Sequence, residues 1–196
     1  MKIALCGASG TGKTTVAKLF AEDKDFGCTY LPNNTRALAE AVTGVPEPYE
    51  VDSMGLRTLF QRVMLVMKRH VESHADDFIT DRSYVDHVVY SLLHDKTGTA
   101  KDAEWIMHAL SMQRMYHLVV FFPIARFCNL GNDKARKQDM EYQERWEECA
   151  KTLLSPDVHI LKSTTPAAAV KEIQNVAAAR AEAIFMETYA KIPSSL

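Results

Sequence analysis

Residues 1–20 read MKIALCGASGTGKTTVAKLF. Residues 2–6 are short and apolar, as expected for a strand that is buried on both faces of a parallel sheet. Residues 7–14, GASGTGKT, then match the pattern G-x-x-x-x-G-K-[ST]. Residues 14–21 are typical of the first turns of a helix. A strand, a glycine-rich loop and a helix in this order indicate a site for the phosphates of a nucleoside triphosphate.

The glycine-rich loop predicts how those phosphates are bound. Glycines allow several backbone N–H groups to point at one anion, and the positive end of the following helix favours the same anion. We expect Lys13 to reach the β- and γ-phosphates and the Thr14 hydroxyl to bind a metal ion. The predicted cofactors are therefore ATP and Mg²⁺. The predicted cofactor-binding residues are Gly7, Ala8, Ser9, Gly10, Thr11, Gly12, Lys13, Thr14 and Thr15.

The composition is that of an ordinary globular protein. The chain has 196 residues, of which 47% are hydrophobic and 24% charged, and this length suits a single domain over residues 1–196. A net charge of −2 gives no general attraction to nucleic acid or to a membrane surface. No apolar run approaches the roughly 18 residues of a membrane span. Because the first residues read as a core strand and the four cysteines form no C-x-x-C pair, we expect reduced thiols and a cytoplasmic location.

Strand-like and helix-like segments alternate along the chain, which predicts an α/β fold with a mostly parallel five-stranded sheet flanked by helices. The predicted strands are 2–6, 28–31, 78–80, 117–122 and 158–161. The predicted helices are 14–21, 35–42, 53–73 (with Ser53 as its cap), 99–115 and 133–154, with two more that start at Ser83 and Pro166. Ligands of such sheets bind beyond the carboxyl ends of the strands. The residues that follow each strand are therefore the candidates for function.

The third predicted strand ends in T-D-R-S, residues 80–83. We expect Asp81 to hold the Mg²⁺ shell through water or to accept a proton from the substrate. Arg82 is expected to bind a phosphate. Asp86 lies one helical turn further on, where it either orients Arg82 as part of the substrate site or only stabilises the first turn of its helix.

Residues 126–145 read RFCNLGNDKARKQDMEYQER and form the second candidate region. A basic segment over a phosphate loop neutralises charge on the transferring oxygens and excludes water. We therefore predict a helical, basic lid here, in which Arg136 is catalytic and Arg126 binds substrate. The alternative is a solvated helix with ion pairs four residues apart, and Glu141 with Arg145 fits that alternative.

Four features in order resemble the small P-loop nucleoside and nucleotide kinases, namely the thymidylate-kinase-like group and the related AAA_28-type ATPase/kinase family, which is common in phages. These features are GASGTGKT, N-N-T-R at residues 33–36, D-R-S with Asp86 and Tyr90 behind it, and R-K-Q-D-M-E-Y-Q at residues 136–143. The resemblance implies a P-loop NTPase fold over nearly the whole chain.

The same resemblance implies roles for particular residues. Arg36, Arg82 and Arg136 would handle substrate and phosphate, and Asp81 would be the carboxylate on the Mg²⁺ or acceptor side. S-T-T-P at residues 163–166 resembles a loop that packs on adenine, which adds Thr165 to the cofactor site. The glycine-rich acceptor signature of thymidylate kinases is absent after the second strand, so the acceptor stays open.

The sequence therefore favours an ATP- and Mg²⁺-dependent phosphotransferase acting on a small (deoxy)nucleoside monophosphate or nucleoside. One alternative is a kinase for a hydroxymethylated base in phage DNA, for which Asp81 is the candidate base; the near-neutral charge disfavours a DNA substrate. A second alternative is a nucleotide-dependent switch or assembly ATPase. The oligomeric state stays open, with a homodimer as one option.

Overall fold

The computed structural model describes residues 1–48, 50–94, 103–124 and 139–190, with the backbone alone at Ser53. In chain order its elements are β1 (Lys2–Cys6), α1 (Lys13–Glu22), β2 (Thr29–Leu31), α2 (Thr35–Thr43), α3 (Glu50–Ser53), α4 (Arg57–Ser73), β3 (Phe78–Thr80), α5 (Tyr84–His94), α6 (Ala103–Met112), a 3₁₀ turn (Gln113–Met115), β4 (Leu118–Phe121), α7 (Met140–Leu153), β5 (His159–Ile160) and α8 (Pro166–Tyr189).

The five strands form one parallel sheet in the order β2-β3-β1-β4-β5. The chain leaves β1 toward one edge to form β2 and β3, and then crosses to the other side of β1 to form β4 and β5. The crevice at the carboxyl end of β1, where the direction of winding changes, is the place where such sheets bind ligands. The predicted α/β fold and its five strands are confirmed, with strand ends that shift by at most one residue.

Helices cover both faces of the sheet, as a sheet buried on both sides requires. On one face, α1 and α8 pack on β1 through a buried cluster that includes Leu5, Phe20 and Ile173. On the other face, α5 and α7 pack on β1 and β4, and Trp146 of α7 is completely buried against Val89 of α5. Burying large apolar side chains on both faces, at roughly 1.5–3 kcal/mol each, fixes β1 at the centre of the molecule.

The prediction of one helix over residues 53–73 with Ser53 as its cap is wrong at its start. The short helix α3 ends at Ser53, and α4 begins at Arg57 with Leu56 in the cap position. Between them Gly55 has a φ of +67°, a left-handed conformation that glycine adopts without strain. Arg57 donates from Nε and Nη2 to the carboxylate of Asp52, at 2.6 and 2.9 Å. This ion pair links α3 to the start of α4 across the break.

Helix α4 buries only some of its apolar side chains. Of the apolar residues at helical spacing, Phe60 and Met64 are buried, whereas Leu59, Val63 and Met67 are exposed. The predicted helix 99–115 is described as α6 and a 3₁₀ turn, and the described part of helix 133–154 is α7; residues 99–102 and 133–138 lie outside the described chain. None of the described helices is long and apolar enough to cross a membrane.

The loop between β5 and α8 is held by one carboxylate. Glu172 accepts hydrogen bonds from the backbone N–H groups of Lys162 and Ser163, at 2.9 and 2.8 Å, and from the Ser163 hydroxyl. Nε2 of His159 lies 2.7 Å from the same carboxylate. Burial alone would raise the pKa of Glu172, but these hydrogen bonds lower it to about 2.

We predict that Glu172 contributes to stability above pH 4.5, its ordinary pKa, and that this contribution is lost as the pH falls toward 2. Glu172→Gln should therefore flatten the fall of the thermal midpoint between pH 4.5 and pH 2. Glu187→Gln, an exposed change on the same helix, is the matched control and should keep the wild-type slope. Identical acid slopes for all three proteins in calorimetry would contradict this role.

Candidate active site

The loop between β1 and α1 depends on glycine at three points. Gly10 and Gly12 have φ values of +86° and +80°, in the left-handed region that favours glycine. At Gly7 the requirement is space, because a Cβ there would lie 2.8 Å from the carbonyl oxygen of Phe122 and 3.0 Å from its Cβ. The loop therefore packs directly on the end of β4, and this fixes its position at the carboxyl edge of the sheet.

Lys13 begins α1, and its ammonium lies inside the loop. Nζ donates to the carbonyl oxygens of Gly7 and Ala8, each at 2.6 Å, and to the Thr11 hydroxyl at 3.1 Å. The residue is buried, and this burial lowers the pKa of Lys13 to about 8, although the charge of Asp86 opposes the shift. A buried cation at the start of a helix is suited to bind the phosphate oxygens of a nucleotide.

Asp81 follows β3 and is nearly buried. Its Oδ2 accepts hydrogen bonds from the hydroxyl groups of Thr14, at 2.7 Å, and Tyr30, at 3.0 Å. Its Oδ1 accepts from the backbone N–H of Asn33 at 3.1 Å. The carboxylate thus joins α1, the chain after β2, and the end of β3.

The Thr14 hydroxyl and the Asp81 carboxylate form an oxygen pair, which is the kind of ligand that Mg²⁺ prefers. The residues present therefore fit the implied metal ion. Asp81 would hold it through water and Thr14 through its hydroxyl, and the ion would supply positive charge to the phosphate oxygens.

Asp86 is completely buried on α5. Its Oδ2 accepts from the backbone N–H and the hydroxyl of Ser83, each at 2.8 Å, as the third residue of a helix does in a capping box. Its Oδ1 accepts from the backbone N–H of Gly7 at 3.3 Å. These contacts favour the helix-stabilising alternative, and they add a bond from α5 to the glycine-rich loop that the sequence did not indicate.

Arg82 is partly exposed, and its guanidinium lies 4.7 Å above the ring of Tyr90. Burial acts to lower the pKa of Arg82, but Tyr90 and the carboxylates Asp86 and Asp81 together raise it above its ordinary value. The side chain is therefore a permanent cation next to Asp81 in the sequence, where it can bind a phosphate.

The remaining predicted residues are placed less centrally or fall outside the described chain. Arg36 is exposed at the start of α2, and Thr15 is exposed on α1. Thr165 is exposed and caps α8, because its hydroxyl oxygen accepts from the backbone N–H of Ala168 at 3.3 Å. Arg126 and Arg136 lie outside the described residues, as does the predicted lid up to residue 138.

A polar pair between α4 and α5 was not predicted from the sequence. Oε1 of Gln61 lies 2.9 Å from Nδ1 of His87, and both side chains are buried. His87 Nε2 has no hydrogen-bond partner within the described part of the chain. Burial, together with the charges of Lys68 and Arg82, holds the pKa of His87 well below its usual value. The position of Gln61 between the apolar residues Phe60 and Met64 was the available signal.

A family model described as an AAA domain, AAA_28, matches residues 2–166. The chain belongs to the AAA_28 family. No curated protein sequence matches it.

Solved structures similar to this AAA_28 chain include three proteins described as kinases. Deoxyadenosine kinase from M. mycoides with bound dCTP has a TM-score of 0.64 and 16% identity, over 91% of this chain and all of that one (100%). Thymidylate kinase from Candida albicans has a TM-score of 0.58 and 13% identity, over 89% of each chain. Shikimate kinase from Aquifex aeolicus has a TM-score of 0.58 and 18% identity, over 92% of this chain and 98% of that one. The resemblance to the small P-loop kinases is confirmed in the fold.

We predict that Gly7→Ala removes ATP binding and destabilises the protein. The added Cβ would force the loop away from Phe122, at a cost of about 1–3 kcal/mol, and would move the carbonyl groups that contact Lys13. Calorimetric titration with ATP and thermal unfolding measure the two effects.

Gly27→Ala is the matched control, because a Cβ there meets nothing within 4 Å. Its φ of +62° should cost about 1–2 kcal/mol of stability without any change in ATP affinity. Wild-type ATP affinity in Gly7→Ala would show that the close approach to β4 does not shape the loop.

Proposed function

We propose that this protein is an ATP- and Mg²⁺-dependent phosphotransferase whose acceptor is a small (deoxy)nucleoside monophosphate or nucleoside. The observation that supports this proposal is the convergence of Lys13, Thr14 and Asp81 on one glycine-rich loop at the carboxyl edge of the sheet. The fold is shared with proteins described as deoxyadenosine kinase with bound dATP and as thymidylate kinase, which supports the same class of reaction.

In this proposal the chain acts by positioning and by charge, which is what phosphoryl transfer requires. The loop N–H groups and the Lys13 ammonium bind the triphosphate. Thr14 and Asp81 hold the metal ion, and Arg82 stabilises the negative charge on the transferring oxygens. Asp86 positions the loop from α5 through Gly7 instead of contacting substrate, because it is completely buried.

The proposal covers more than one kind of acceptor. Arg36 and Arg126 are proposed to bind the acceptor, Arg136 to act in transfer from the lid, and Thr165 to contact the nucleotide base. The cation of Arg82 beside Asp81 favours an acceptor that carries a phosphate. A hydroxyl acceptor, in a nucleoside or in a hydroxymethylated base of DNA, instead needs Asp81 as a proton acceptor. The two kinds of acceptor therefore differ in what they require of Asp81.

We predict that Lys13→Ala folds normally and loses phosphoryl transfer by about two to four orders of magnitude, because its charge acts on the transferring oxygens. The measurement is transfer of labelled γ-phosphate from ATP to each member of a panel of nucleosides, nucleoside monophosphates and an oligonucleotide. Lys18→Ala, an exposed change on the same helix, is the control and should keep full activity. Unchanged transfer by Lys13→Ala would remove the loop from the mechanism.

We predict that Asp81→Asn separates the two kinds of acceptor. With a phosphate acceptor, the loss of activity should be partly rescued by high Mg²⁺, because only the hold on the metal ion is weakened. With a hydroxyl acceptor, the loss should be severe and insensitive to Mg²⁺, because the base itself is missing.

The matched control for this experiment is Asp76→Asn, which makes the same charge change at an exposed position just before β3. Initial rates across a range of Mg²⁺ concentrations give the comparison. Full activity of Asp81→Asn at low Mg²⁺ would contradict both forms of the proposal.

A further inference from the structure

Asp81 Oδ2 is shared by two hydroxyl donors from different parts of the chain. The Thr14 hydroxyl lies 2.7 Å away and is an expected part of a glycine-rich phosphate loop. The Tyr30 hydroxyl lies 3.0 Å away and comes from β2, a strand that pairs with β3 and not with β1. Nothing in the loop motif calls for this second donor.

The register of the sheet explains how Tyr30 reaches Asp81. Tyr30 pairs with Ile79, and Leu31 pairs with Thr80, so Asp81 lies one residue beyond the last pair of β2 and β3. The ring of Tyr30 extends toward the carboxyl edge and places its hydroxyl at the carboxylate. The backbone N–H of Asn33 reaches the other oxygen of the same group at 3.1 Å.

Three donors on one carboxylate restrict its rotation. Hydrogen bonds to a charged group are stronger and more directional than those between neutral groups. The Tyr30 ring is partly buried, and its phenol hydroxyl donates to Oδ2 of Asp81. A carboxylate held in one orientation loses less freedom when it engages a metal shell.

We propose that Tyr30 is a positioning residue that orients the Asp81 carboxylate and thereby sets the affinity of the site for the divalent cation that accompanies the nucleotide. This inference rests on the proposed function, in which Asp81 belongs to the metal site. Tyr30 contacts neither phosphate nor acceptor in this account. It acts through Asp81 alone.

The ring of Tyr30 also packs against the apolar core cluster that contains residues of β1 and α1. Packing is therefore the competing role for Tyr30. Tyr30→Phe separates the two roles, since it keeps the ring and removes only the hydroxyl. Tyr84→Phe is the matched control: its hydroxyl donates to Sδ of Met115 at 3.4 Å, so the change also removes a tyrosine hydroxyl from the same protein, away from Asp81.

The experiment measures Mn²⁺ binding by electron paramagnetic resonance in the presence of saturating ADP, for wild type and both variants. Thermal unfolding without metal is recorded alongside. We expect Tyr30→Phe to raise the dissociation constant for Mn²⁺ about three- to tenfold, as loss of one hydrogen bond of ordinary net strength implies. Tyr84→Phe should bind Mn²⁺ as wild type does, and both variants should unfold within a few degrees of it.

An unchanged Mn²⁺ dissociation constant in Tyr30→Phe would overturn the inference, as would an equal rise in Tyr84→Phe. Wild-type protein that binds no Mn²⁺ with ADP would overturn it too. In transfer assays the Mg²⁺ concentration for half-maximal rate should rise in Tyr30→Phe while the rate at saturating Mg²⁺ stays at the wild-type level. If wild type transfers no phosphate but Tyr30→Phe still weakens Mn²⁺ binding, the proposed function fails and this inference stands.

Discussion

The carboxylate of Asp81 is the interaction on which the arrangement of the site depends. It accepts hydrogen bonds from Thr14 at the start of α1, from Tyr30 on β2 and from the backbone after β2. A second carboxylate, Asp86, bonds the loop backbone at Gly7 to the start of α5. Two buried acidic groups, one directly after β3 and one in the first turn of α5, therefore hold the glycine-rich loop and the start of α1 against the neighbouring elements. Such preorganisation lets the loop bind phosphates without first paying for its own ordering.

The glycine-rich loop and the elements around it were predictable from sequence, because the sequence patterns that indicate them are local. The loop pattern fixes β1, the loop and α1 within about twenty residues, and D-R-S marks the end of β3. Tyr30 was not predictable in the same way, since its contact with Asp81 exists only because β2 lies beside β3 in the sheet. The true start of α4 was missed for a similar reason. The break at Gly55 is stabilised by a side-chain pair, Asp52 with Arg57, which periodicity does not reveal.

The identity of the acceptor could not be predicted from the sequence, and the reason is again physical. Proteins described as deoxyadenosine, thymidylate and shikimate kinases share this fold although their names imply different acceptors, so the fold alone does not identify the acceptor. Among the polar groups of this chain are the buried pair of Gln61 and His87 and the cation of Arg82. They lie on α4, on α5 and in the turn before α5.

If the proposed function is correct, the site transfers the γ-phosphate of ATP to an acceptor molecule and not to water. The most direct measurement follows labelled γ-phosphate in one reaction and compares the amount on the acceptor with the amount released as inorganic phosphate, per ADP formed. We expect the ratio of phosphorylated nucleoside or nucleotide to ADP to be close to one. We also expect little ADP to form when no acceptor is present. Equal ADP formation with and without every acceptor, with all of the label in inorganic phosphate, would contradict it.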